Sequence, residues 1–114
     1  MIRKSVSMAS LAAIAVLFLT VSPVVTARAQ QPAVVEVKID NFSFGPQAET
    51  VPVRTTVTWT NRDDIPHTVV STDGVFKSKP LDTDEKFSYT FAKAGTFAYF
   101  CSIHPKMTGK IVVQ

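Results

Sequence analysis

The sequence predicts an all-β protein, a small Greek-key antiparallel β-sandwich of seven to eight strands. Two observations carry this. Short segments alternate apolar and polar residues with a period of two, and turn signals such as Gly45-Pro46, Asp73-Gly74 and Lys93-Ala94-Gly95 punctuate them. The third is negative: no segment carries a helical repeat of useful length, and neither an internal repeat nor a low-complexity tract is present.

The first segment stands apart from the fold. Arg3 and Lys4 form a short basic region, Met8 to Val21 is an almost unbroken apolar run, and Ala27-Arg28-Ala29 fits a small-x-small cleavage site. Residues 1–29 therefore read as a secretory signal peptide cut near Ala29, and residues 30–114 as the domain. A retained anchor would need roughly 20 apolar residues, more than the run supplies. Arg3-Lys4 is not a twin arginine, so export of an unfolded chain is expected, with metal acquired afterwards.

Within the domain, Val34 to Ile39 places Val35, Val37 and Ile39 on one face of a strand, and Phe42 and Phe44 follow at the same spacing. Val53 to Thr60 is the clearest strand, rich in β-branched residues, with Val53, Thr55, Val57 and Trp59 on one face. A turn-rich loop, Asn61 to Pro66, delivers His67 at the start of a short strand, His67 to Ser71. Val75 to Thr83 reads as a weak edge strand and loop. Lys86 to Phe91 aligns Phe87, Tyr89 and Phe91, and Thr96 to Cys101 aligns Phe97, Tyr99 and Cys101. Gly109 to Val113 is the last strand. Seven of the eight phenylalanines lie in the domain and join Trp59 as core, each buried ring contributing about 1.5–3 kcal/mol.

Charge excludes several functions. Three of the twelve basic residues, Arg3, Lys4 and Arg28, belong to the leader, so the basic side chains that remain match the nine acidic ones. No basic excess suggests nucleic acid or an anionic membrane as a partner. Asp82, Asp84 and Glu85 form a small acidic group that reads as solvated surface. A lone cysteine permits no internal disulfide, so packing and a bound metal are the available sources of stability.

The chemistry concentrates in Cys101-Ser-Ile-His-Pro-Lys-Met107. This loop holds a thiolate, an imidazole and a thioether, and His67 adds a second imidazole. The domain contains one cysteine, two histidines and one methionine, and all four fit one metal site. Soft sulfur donors with imidazoles select copper over magnesium, calcium or manganese. Taken singly, each has a plainer reading: a buried small thiol or an intermolecular disulfide partner, a surface histidine, a gap-filling methionine. Cys101 and His104 also admit a thiol nucleophile and base, but they sit three apart on a tight loop with no orienting partner in the sequence. Zinc is disfavoured because methionine is a poor zinc ligand.

Val57-Thr58-Trp59, Asn61-Arg62, Pro66-His67, Ala94-Gly95-Thr96, Cys-x-x-His-Pro-x-Met and Gly109-Lys110 together resemble the blue copper proteins, the cupredoxins. The two-residue gap between His104 and Met107 is the specific part, since plastocyanin-like loops are longer there. The resemblance implies a cupredoxin-like fold, one copper ion cycling between Cu(I) and Cu(II), His67, Cys101 and His104 as equatorial ligands, and Met107 as the axial one. It further implies a periplasmic, monomeric one-electron carrier without substrate turnover of its own. Its donor would be of the dehydrogenase type and its acceptor a c-type cytochrome, docking near the exposed His104. A copper-delivery protein is the alternative. Three positions depart from the family: Thr68 where asparagine is usual, Ile103 where proline is common, and Lys106 in place of a large apolar residue.

Overall fold

The computed structural model describes residues 12–21 and 33–114. Residues 12–21 are exposed and form neither helix nor strand. The rest of the segment read as a leader, including the expected cleavage site at Ala29, lies outside the described residues. Among the described residues no helix is long and apolar enough to cross a membrane.

Eight strands follow in the domain: β1 (Val34–Asp40), β2 (Ser43–Gly45), β3 (Ala48–Val51), β4 (Thr56–Asn61), β5 (Val70–Ser71), β6 (Lys86–Thr90), β7 (Gly95–Phe100) and β8 (Thr108–Val113). They form two four-stranded sheets, ordered β2-β1-β4-β6 and β3-β8-β7-β5. The expected sandwich is present, with one difference in pairing. β1 runs parallel to β4, Val34 opposite Thr56 through Ile39 opposite Asn61, and β3 runs parallel to β8. The cause is β3. It leaves the first sheet after the β1–β2 hairpin and pairs in the second, so the chain re-enters the first sheet as β4 in the direction of β1. Burial alternates along Ala48-Glu49-Thr50-Val51, but the inward face carries Glu49 with Val51, so no apolar-polar alternation announces the strand in the sequence.

The predicted faces hold better than the predicted ends. Thr55, Val57 and Trp59 are all buried, as the period of two requires, yet pairing begins only at Thr56. Pro52 has no amide to donate, and Arg54 adopts a left-handed φ of 76°, so the chain turns there before the strand starts. His67 likewise stands outside any strand. It makes an isolated bridge to Leu81, its N–H donating to the Leu81 carbonyl at 3.1 Å and its carbonyl accepting from the Leu81 N–H at 2.7 Å.

Between the sheets Trp59 is the centre of an aromatic cluster. Its ring lies 5.3 Å from Tyr99, 5.5 Å from Phe76 and 5.8 Å from Phe87, centroid to centroid. Trp59, Tyr99 and Phe91 are each about fully buried. This core fixes β4 and β7, and the ligand-bearing segments emerge from their ends.

Candidate metal centre

Cys101 follows the last residue of β7 and is fully buried. His67, also fully buried, arrives from the connection between β4 and β5. His104 lies in the β7–β8 loop and is part-exposed. The structure brings these three together: one potential ligand atom from each lies within 4.8 Å of the others. Cys101 Sγ is 3.7 Å from His67 Nδ1 and 3.8 Å from His104 Nδ1. Donors about 2.0–2.3 Å from a shared first-row ion, spread at trigonal angles, stand roughly 3.5–3.8 Å apart. One sulfur and two nitrogens at these separations, with no carboxylate in the set, form a copper site and not one for a hard cation.

Met107, the fourth expected donor, is buried in the same loop. Its carbonyl accepts from the Cys101 N–H at 3.0 Å, and its N–H donates to the His104 carbonyl at 2.9 Å. Those two bonds fold the loop back on itself. They hold Cys101 and His104 together at one end of the sandwich.

Around the donors is a layer of contacts that the sequence reading passed over. Asp63 Oδ2 accepts from His67 Nε2 at 2.7 Å, which leaves Nδ1 free to face the metal side. The same carboxylate accepts from the Asn41 N–H at 2.6 Å and the Phe42 N–H at 2.9 Å. Burial raises the Asp63 pKa, but these donors and the adjacent imidazole outweigh it and hold the carboxyl below its ordinary value. Asn61, fully buried, anchors the loop that carries both residues. Its Nδ2 donates to the carbonyls of Ile65 and Leu81, each at 2.8 Å, and its Oδ1 accepts from the Asp63 N–H at 2.9 Å.

Phe42 covers the histidines. Its ring meets His67 edge-on at 5.6 Å and His104 at 5.2 Å, while half of the residue remains exposed (53%). The sequence reading placed Phe42 in a strand with Phe44. It is instead the second residue of a two-residue turn between β1 and β2, with φ of 50° at Asn41 and 57° at Phe42. Asp63 could not have been singled out, since Asp64 beside it carries the same signal in the sequence. A pair of left-handed residues containing a phenylalanine has no signal at all.

The thiol itself is shifted. Burial pushes Cys101 up, yet the Thr68 amide, donating at 3.3 Å, and contacts to His67 and His104 override it and bring the pKa down to about 6. A buried thiol that ionises this readily is prepared for a metal.

Fold and site together define a copper protein of the cupredoxin class. The model of the cupredoxin-like domain family matches residues 10–113, and the chain belongs to that family. Within it the likeness is to amicyanin. The chain is 42% identical over 69 residues to amicyanin from Paracoccus denitrificans, covering 56% of this chain and 53% of that protein. It is 33% identical over 97 residues to amicyanin from Paracoccus versutus, covering 81% and 73%. It thus spans about half the length of the first and nearly three quarters of the second. Among solved structures, the Cu(I) form of an amicyanin mutant superposes with a TM-score of 0.69 at 35% identity, over 74% of this chain and 85% of that one. The resemblance read from the Cys-x-x-His-Pro-x-Met loop is borne out.

Proposed function

We propose that this chain is a type 1 copper protein that carries single electrons between larger redox proteins. His67 Nδ1, Cys101 Sγ and His104 Nδ1 would hold the copper, with the Met107 thioether as the weak axial ligand. Copper, when bound, supplies the one-electron Cu(I)/Cu(II) couple. The observation that carries this reading is the convergence of one thiolate and two imidazoles, 3.7 and 3.8 Å apart, from segments fixed to a rigid sandwich. Ligands held this way move little when the charge on the metal changes, which favours fast transfer. Cys101 and His67 are shut away from solvent, whereas His104 opens onto the surface and is the point where an electron enters or leaves.

The exposed neighbours of His104 form the docking face. Phe42 (53%) and Ile103 (48%) contribute apolar surface, and Pro105 and Lys106 are exposed beside them. A transient contact with a dehydrogenase-type donor and a c-type cytochrome-type acceptor fits such a face, for a monomer exported to the periplasm after removal of residues 1–29.

The test is to purify the domain, add Cu(II) and record the visible spectrum. An intense thiolate-to-copper band that bleaches on reduction and returns on reoxidation, with the metal retained, is the expected result. Loss of copper on reduction would indicate delivery in place of transport, and absence of the band would sink the copper–thiolate assignment. C101S is expected to abolish the colour; colour that survives means the sulfur ligand is wrongly chosen.

A further inference from the structure

The Thr68 hydroxyl sits among more partners than a structural tie requires. Thr68 is buried (4% exposed). Its Oγ1 accepts from the Ser102 N–H at 2.7 Å, lies 2.7 Å from Ser102 Oγ, and is 3.7 Å from Cys101 Sγ. Its backbone N–H already donates to that sulfur at 3.3 Å.

A hydroxyl has two lone pairs and one proton. The Ser102 amide occupies one lone pair. Ser102 is exposed, so its own hydroxyl can receive from water while donating to the second lone pair of Thr68. With Ser102 as the donor in that pair, the acceptor left to the Thr68 proton is the buried Cys101 sulfur at 3.7 Å. Cys101 is fully buried, so water does not compete for it.

We infer that Thr68 is a positioning residue with a second role, donating a hydroxyl hydrogen bond to the Cys101 thiolate that raises the reduction potential of the site while tying the two ligand loops together through Ser102. This rests on the copper reading above. A hydrogen bond to sulfur withdraws electron density that would otherwise stabilise Cu(II), and it acts in a site from which water is excluded. An asparagine could tie the loops but would not place a hydroxyl proton at this distance from the sulfur. The departure at position 68 therefore adjusts the site without loosening it.

Three variants of the copper-loaded protein test this: T68V, T68S and S102A, each read by reduction potential and by the position of the thiolate-to-copper band. T68V removes the proton at nearly constant shape. It should move the band to longer wavelength and shift the Cu(II)/Cu(I) equilibrium toward Cu(II) roughly tenfold, about 59 mV for one electron. T68S keeps the hydroxyl and should restore both values. S102A removes the other oxygen to which the Thr68 proton could be given while leaving the Thr68 hydroxyl, so its potential should hold or rise. A T68V protein at the wild-type potential, or an S102A protein that falls as T68V does, overturns the inference. If T68V fails to load copper, S102A alone decides by the sign of its shift. Wild-type protein lacking the blue band altogether would fail the copper reading itself, a separate outcome visible before any variant is made.

Discussion

Asp63 is spent to the full. One carboxylate accepts from an imidazole and from two consecutive amides, so it orients His67 and holds the Asn41-Phe42 turn at once. Cys101 shows the same economy, with the sign of its pKa shift fixing a pH dependence. Its folded pKa, about 6, lies below the ordinary 9.0. A depressed acid stabilises the fold most above its unfolded pKa, and the stabilisation disappears as pH falls through the folded one. The metal-free protein should therefore gain stability toward urea between pH 6 and pH 9, and thiolate absorbance in the ultraviolet should titrate near pH 6. A C101S protein should lack this window; if it keeps the same pH profile, another group is responsible. At this scale the clustered cysteine and histidines were legible, because those residue types are scarce enough in the domain to be counted. Their supports were not. Asp63, Asn61 and Thr68 are common polar residues whose roles depend on contacts 4 to 33 positions away.

The β1–β2 hairpin carries strain that its neighbours hold in place. Two left-handed residues suit a type I′ turn, but the second is normally glycine, and a bulky side chain there costs about 1–3 kcal/mol. Asp63 fixes both amides, and the strain sets the Phe42 ring against both histidines. The β7–β8 pair is equally exacting. Tyr99 lies opposite Gly109, and a Cβ on Gly109 would come within 2.5 Å of the Tyr99 ring. That ring is buried against Trp59 and Phe44, so it has little room to retreat. G109A should destabilise the metal-free domain by about 1–3 kcal/mol, seen as a fall in Tm of about 4–8 °C for each kcal/mol. An unchanged Tm would mean that Tyr99 moves aside. Strand faces could be read from the sequence because burial on one side imposes a period of two. Strand ends and partners could not, because they depend on Pro52, on the left-handed Arg54 and on β3 crossing between sheets.

For the whole molecule, charge near the port matters more than net charge. The domain's basic and acidic residues balance, so no long-range field steers partners toward it. Lys106, exposed and lining the same cleft as Phe42, is a local exception beside His104. Electron exchange with a physiological partner should slow as ionic strength rises, and K106F should flatten that dependence. Stopped-flow rates across a salt series decide it; an unaltered slope places the charge outside the contact. Such a lysine is visible in the sequence, whereas its cleft-mate is not, since Phe42 reaches the site only through a turn made 62 residues before His104.

The order of strands in the second sheet also has a bearing on biogenesis. The loop that carries Cys101 and His104 spans β7 to β8, and β8 lies between β3 and β7, inside its sheet. A chain ending at Met107 already has His67, Cys101 and His104 but lacks the strand that closes the loop around them. Cys101 and His104 are therefore expected to reach their observed spacing only once β8 has entered the sheet between β3 and β7.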